Sequence, residues 1–119
     1  MDSIIVVDDD EVFRTRMSRA FTDRSIKAVS AGNNLEAITL AEEHRPECAL
    51  VDLRLGEESG LEIVRKYCAL FPEMKVVVLT GYGSIPTALE AVKLGAKNYL
   101  TKPAGVEEII RAFGAQATG

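Results

Sequence analysis

The chain has one histidine, two cysteines and fewer basic than acidic residues, and it has no apolar run near the roughly 20 residues a membrane helix needs. Each shortage excludes something. His44 alone rules out a multi-histidine metal centre, and its polar neighbours Glu42, Glu43 and Arg45 predict a solvated helix end. Cys48 and Cys68 stand in apolar stretches and form no Cys-x-x-Cys pair, so they read as reduced thiols packing like small hydrophobes. Fourteen Lys and Arg against eighteen Asp and Glu give a net charge of −4. Phosphate contacts need a basic patch, so nucleic-acid binding by this segment is not expected. The N-terminus, Met1-Asp-Ser-Ile-Ile5, has an acid where a signal peptide would carry basic residues. The expected setting is therefore the cytoplasm, with no membrane association.

With 119 residues, 47% hydrophobic and 27% charged, the chain has the size and balance of one globular domain. Strand and helix signals alternate five times. Strands are predicted at Ile4–Val7, Ile26–Ser30, Cys48–Val51, Val76–Leu79 and Asn98–Thr101. The second alternates apolar and polar residues as an edge strand does, and the third is continuously apolar, as a strand covered on both faces is. The intervening helices are predicted to face inward through Phe13, Met17, Ala20 and Phe21; Leu35, Ile38 and Ala41; Leu61, Val64, Cys68 and Phe71; Ile85, Ala88, Leu89 and Val92; and Val106, Ile109, Ile110 and Phe113. Gly95 is placed to end the fourth with a left-handed residue. Short connections between alternating elements define an α/β fold: a doubly wound, five-stranded parallel sheet of order 2-1-3-4-5, flavodoxin-like. Residues 1–114 are expected to form the domain, and residues 115–119 a frayed tail or the start of a linker.

In such a sheet the C-terminal strand ends share one edge, where open α/β sheets bind ligands. The ends here carry chemistry. Ile4-Ile-Val-Val leads into Asp8 and Asp9, Cys48-Ala-Leu-Val into Asp52, Lys75-Val-Val-Val-Leu into Thr80, and Asn98-Tyr-Leu-Thr into Lys102. Order 2-1-3-4-5 opens its crevice between strands one and three, where Asp8, Asp9 and Asp52 would meet. Gathered carboxylates repel unless a cation shares the site, and Mg²⁺ takes one or two carboxylates, waters and phosphate oxygens. An Asp beside Mg²⁺ is equipped to act as a nucleophile toward a phosphoryl group, with Thr80 and Lys102 supplying a hydrogen bond and a point charge. The plainer reading of 8–11 is a helix N-terminus capped by acids. It suits Asp10 and Glu11, and competes poorly for Asp8 and Asp9. Thr80 or Lys102 alone would be an ordinary turn or surface residue; joint placement at strand ends distinguishes them.

Together, Val6-Val-Asp8-Asp9-Asp10, Leu50-Val-Asp52-Leu-Arg54-Leu, Val77-Val-Leu-Thr80-Gly-Tyr-Gly and Tyr99-Leu-Thr-Lys102-Pro103 make the chain resemble, over nearly its whole length, the receiver domain of two-component response regulators. The resemblance implies that Asp52 is the phosphoacceptor, that Asp8 and Asp9 are the acidic pair at Mg²⁺, and that the backbone carbonyl of Arg54 completes the metal site. It further implies that Thr80 and Tyr99 are the switch pair, that Lys102 pairs with the phosphoryl group and that the Lys102–Pro103 bond is cis. Residues alone would make Tyr99 an ordinary strand aromatic. A cognate histidine kinase is the implied partner, met through Arg14, Thr15, Ser18 and the loop after Lys102. Phosphorylation-linked output, including homodimer formation, is implied at the last two helices and strand five, around Ala88, Lys93, Lys97, Tyr99 and Arg111. Such a domain is not an enzyme on other molecules; it catalyses its own phosphorylation and its own dephosphorylation. Arg54 and Tyr82, two residues after the acceptor and after the switch Thr, are bulky and ill-suited to aligning water, which predicts slow autodephosphorylation.

Thr80-Gly-Tyr-Gly-Ser-Ile-Pro-Thr-Ala-Leu-Glu and Ser59-Gly-Leu-Glu62 are similar to the redox-responsive global regulators of proteobacteria, which carry a Fis-type helix-turn-helix domain. The preferred expectation is a receiver that belongs to such a longer regulator, with a stand-alone phosphorelay receiver as the alternative. A haloacid-dehalogenase-type phosphohydrolase is the distant rival: Val7-Asp8-Asp9-Asp10-Glu11-Val12 meets its first motif, making Asp8 the nucleophile and Asp10 the acid/base. It leaves Asp52 without a role.

Overall fold

The computed structural model describes residues 1–81 and 85–114. The elements are β1 (Ser3–Val7), α1 (Glu11–Thr22), β2 (Lys27–Ala31), α2 (Asn34–His44), β3 (Cys48–Asp52), β4 (Arg54–Leu55), β5 (Glu58–Ser59), α3 (Gly60–Leu70), β6 (Lys75–Thr80), α4 (Ile85–Leu94), β7 (Asn98–Thr101) and α5 (Val106–Ala112). Five strands make one parallel sheet of order β2-β1-β3-β6-β7, which is the predicted 2-1-3-4-5 order counted over the major strands. β4 and β5 form a two-residue antiparallel ribbon that strand patterning had no signal for. Among the described residues no helix is long and apolar enough to cross a membrane.

The all-apolar strand cores explain the layering. Every residue of β3 is buried, because helices cover both faces of the central strands. One cluster joins Ile5, Val51 and Val78 to α2, α3 and α4 through Ala37, Ile63, Tyr67, Ala88 and Ala91. The other joins Ile4, Val6, Leu50 and Leu79 to α1 and α5 through Met17, Phe21, Ile109 and Phe113. Caps fix the helix starts: Asp10 Oδ1 accepts from the amides of Val12 and Phe13 at 3.0 and 3.2 Å, Asn33 Oδ1 from Glu36 at 2.9 Å, and Ser59 Oγ from Leu61 at 3.2 Å. Each such cap stabilises its helix by about 1 kcal/mol. The expected cap role of Asp10 is thus observed.

Several inward faces differ from the prediction. Leu35 is 77% exposed, and α2 buries Ala37 beside the expected Ala41. On α4 the expected Ala88 is buried together with Ala91, while Leu89 and Val92 face solvent, at 49% and 38% exposure. The reason is packing distance: alanines four or three residues apart let these helices sit close to the sheet, which turns the larger side chains outward. On α3, Ile63, Val64 and Tyr67 are fully buried, and Leu61 and Cys68 only pack against the edge of the cluster. β2 is shifted by one residue, Lys27–Ala31, since its register is set by Ser3 opposite Lys27 after the left-handed Ser25 (φ 62°). Both cysteines are free; Cys48 is buried, which pushes its thiol up to about 11, and Cys68 is half-buried. His44 closes α2 with a half-exposed side chain. Gly95, just past α4, has φ +125°, and a Cβ there would lie 2.8 Å from Cys68 Sγ.

Candidate functional site

The strand ends deliver their side chains to one cleft of about 680 Å³, lined by Asp8, Asp9, Asp10, Asp52, Leu53, Arg54, Gly56, Gly81, Thr87 and Lys102. Asp8 follows β1, its amide donating to the Ala31 carbonyl of the neighbouring strand at 3.0 Å. Its Oδ1 accepts from the Asp10 amide at 2.9 Å, and its own carbonyl accepts from Arg14 Nη1 at 2.7 Å. Asp52 ends β3, and its Oδ1 accepts from the Arg54 amide at 3.0 Å. Asp8 and Asp52 are 1% and 6% exposed, whereas Asp9 lies in solvent at the mouth.

Lys102 ties the two buried acids together. Its Nζ donates to Asp8 Oδ2 and to Asp52 Oδ2, each at 2.9 Å, and stands 4.7 Å from the centre of the Phe13 ring. Burial works to lower this ammonium, but the hydrogen bonds and charges of Asp52 and Asp8 outweigh it and hold the amine charged, above its usual range. For Asp8 the balance falls the other way. Burial raises its carboxyl above the ordinary carboxylate range and the charge of Asp52 adds to that, against the Asp10 amide and Lys102. The two directions agree physically: one ammonium shared by two buried carboxylates leaves a surplus negative charge.

Asp8, Asp9 and Asp52 each offer a carboxylate oxygen, all within 4.8 Å of one another. Hard oxygen donors around uncompensated negative charge fit a divalent cation such as Mg²⁺.

Not every predicted site residue lines the cleft. Thr80 is wholly buried at the end of β6 beneath Gly81, whose carbonyl accepts from Thr80 Oγ1 at 3.2 Å. Tyr99 is half-buried on β7 opposite Val78, packed against the cluster that contains Ala88 and Ala91. Lys102–Pro103 is cis. Tyr82 lies outside the described residues, as does the predicted 115–119 tail. Ala88 is fully buried and so forms no part of an exposed output face, whereas Lys93, Lys97 and Arg111 are exposed. On the predicted kinase face Thr15 is exposed, Ser18 is half-buried and Arg14 is half-buried with its guanidinium on the Asp8 carbonyl. Asp10 Oδ1 is committed to two helix amides, which leaves that oxygen poorly placed for the acid/base role in the phosphohydrolase rival.

Sequence reasoning missed three contributors. Phe13 read as a core residue and lies against Lys102. Thr87 reaches the cleft from α4. At Gly60, a Cβ would collide with the Asp52 carbonyl oxygen and approach Leu53 Cα to 2.7 Å, so only glycine lets α3 start this close to the acceptor strand. The Ser-Gly pair opening α3 was the available signal.

A parallel sheet of this order with acids at the ends of β1 and β3 and a lysine after β7 defines a receiver. Residues 4–113 match the family described as response regulator receiver domain, and the chain belongs to that family. It is 42% identical over 111 residues, 93% of the chain, to the acid tolerance regulatory protein ActR of Sinorhizobium medicae, of which it covers 57%. It is 41% identical over the same share to the photosynthetic apparatus regulatory protein RegA of Rhodobacter capsulatus, covering 60% of it. The chain thus spans about three-fifths of these curated relatives. Among solved structures, it is similar to a response regulator protein from Burkholderia pseudomallei containing a phosphorylated aspartic acid, a calcium ion and citrate. That similarity has a TM-score of 0.90 and 44% identity, covering 95% of this chain and 66% of the other.

Proposed function

We propose that Asp52 accepts a phosphoryl group from the phosphohistidine of a cognate kinase, and that the resulting charge is read by Thr80, Tyr99 and Lys102. The observation that carries this reading is the shared lysine: Lys102 holds Asp52 and Asp8 together at 2.9 Å each, at the strand edge where the acids have surplus charge. In the transfer, an Asp52 carboxylate oxygen attacks phosphorus, the O–P bond forms as the N–P bond breaks, and the departing electron pair stays on the imidazole nitrogen. A Mg²⁺ ion held by Asp8, Asp9, Asp52 and the Arg54 carbonyl would neutralise charge on the phosphoryl oxygens. Lys102 needs little movement to follow the new oxygens, since its ammonium is already on Asp52.

The phosphoryl group adds close to two negative charges and three acceptors. Thr80, now bonded to the Gly81 carbonyl, has to turn outward to meet them. The half-buried Tyr99 on the adjacent β7 follows this turn, and the shift is passed to the exposed Lys93, Lys97 and Arg111 face, where a homodimer or output domain engages. Residues 1–114 act as the receiver, with the protein working in the cytoplasm. Besides transfer from the kinase, the domain phosphorylates itself from small donors and dephosphorylates itself slowly, the latter because Arg54 presents no carboxylate or amide to align water.

Intact-protein mass after incubation with acetyl phosphate and Mg²⁺, run beside Asp52→Asn and Asp8→Asn, tests this. One added phosphoryl group, lost in Asp52→Asn and persisting for minutes or longer in wild type, is the expected result. Steady phosphate release that depends on Asp8 and not on Asp52 overturns it.

A further inference from the structure

Phe13 has two surroundings. One side of it packs with the α1–α5 apolar cluster, and its ring faces the Lys102 ammonium at 4.7 Å. Lys102 Nζ has three N–H groups; two point to carboxylate oxygens at 2.9 Å. With its side chain 30% exposed, the ammonium has lost much of its water, and among the described residues the aromatic face adds a favourable contact beside the two carboxylates. The backbone that carries the ring is anchored in the first turn of α1, where the Phe13 amide donates to Asp10 Oδ1 at 3.2 Å.

We infer that Phe13 is a positioning residue for the phosphoryl chemistry: its π face holds the Lys102 ammonium at Asp52 and Asp8, ready to take charge from the transferring group. This rests on the reading of Asp52 as phosphoacceptor. It also assigns α1 a part in the site beyond carrying the acidic turn. A lysine held less firmly has two consequences of opposite sign. It spends less time at Asp52, so phosphorylation slows. It also competes less for the Asp8 and Asp52 oxygens, so a divalent cation binds those oxygens more tightly. A packing defect at residue 13 would instead loosen the acidic turn and weaken both together.

The experiment replaces Phe13 with mono-, di- and trifluorophenylalanine, which nearly keep the volume while draining the ring face of negative charge, alongside Phe13→Tyr and Phe13→Leu. Phosphorylation rate with phosphoramidate at saturating Mg²⁺, and Mg²⁺ affinity by calorimetry, are measured for each. The expected result is a graded fall in rate reaching about three- to fivefold, the scale of one partly exposed cation–π contact, with Mg²⁺ affinity equal or higher along the series. Phe13→Tyr keeps the wild-type rate, and Phe13→Leu falls to the level of the trifluoro variant. A flat rate along the fluorination series, or rate and metal affinity falling together, overturns the proposal. A wild-type protein that takes no phosphoryl group, or takes it equally as Asp52→Asn, overturns the acceptor reading beneath it; a wild type that is phosphorylated at Asp52 with a flat series sinks the role of Phe13 alone.

Discussion

Lys102 Nζ and Asp52 Oδ2 lie 2.9 Å apart although 50 positions separate them in the chain. The pair is one arm of a three-way arrangement, since the same ammonium reaches Asp8, 94 positions away, at the same distance. Two strand ends and a third are thereby pinned to one another by a side chain that is itself part of the site. Stability and chemistry are coupled at this edge.

Asp8 carries a carboxyl raised by burial, so its charged form is disfavoured in the folded state. For a raised acid the stabilising contribution is complete below the unfolded value, 3.8, and is lost as pH climbs through the folded value. In chelator-treated protein, Tm should therefore fall as pH rises across that interval, and Mg²⁺ should restore it above. Asp8→Asn should flatten the metal-free profile, raise Tm by a few degrees at neutral pH and abolish the Mg²⁺ effect. Differential scanning calorimetry across pH, with and without Mg²⁺, reads all three; a wild-type Tm that rises over the interval contradicts the assignment.

Gly60→Ala should destabilise the domain by about 1–3 kcal/mol, the usual cost of forcing a methyl group into a filled space. The colliding atoms are the Asp52 carbonyl oxygen and Leu53 Cα, both backbone. Relief has to come from moving the end of β3, so phosphorylation at Asp52 should slow as well. Urea unfolding and the phosphoramidate rate are the measurements, and an unchanged urea midpoint would count against the close approach.

Tyr67→Phe should cost about 1 kcal/mol and leave phosphorylation untouched. The buried Tyr67 hydroxyl donates to the Ala37 carbonyl at 2.7 Å, joining α3 to α2 within the first cluster, on the opposite face of the sheet from α1. Burial pushes this phenol well above its ordinary range, so it remains a donor at any physiological pH. A urea titration with an unchanged slope and a lower midpoint is expected.

Thr80→Ala should still accept a phosphoryl group, within a fewfold of the wild-type rate, and fail to transmit it. Amide chemical-shift changes in β7 and α5 on phosphorylation provide the readout. Wild type should shift residues around Tyr99 and Arg111, and the variant should confine its shifts to the neighbourhood of Asp52. Full transmission in Thr80→Ala would remove Thr80 from the relay.

Local pattern made the fold legible. Five apolar runs alternating with helical periodicity leave few topologies once crossovers are short and right-handed, and the residue ending each run is visible in the text of the chain. Asp8, Asp9, Asp52, Thr80 and Lys102 are therefore legible as strand-end residues in the sequence alone. Helix faces were read less well. Leu35, Leu89 and Val92 fit an apolar stripe but face solvent, while the expected Ala41 and Ala88 are joined on the sheet side by Ala37 and Ala91. Periodicity finds a stripe but not how closely it will approach its neighbour.

The sequence by itself thus determined the order of elements and which functional groups reach the ligand edge, because both follow from chain-local periodicity. Tertiary structure alone decided how those groups share charge. That one lysine serves two buried carboxylates and rests on Phe13, and that Gly60 must admit the Asp52 carbonyl, depends on ångström-scale distances between segments far apart in the chain. No spacing within the sequence encodes such distances; they are fixed only when the packed layers bring the strand ends together.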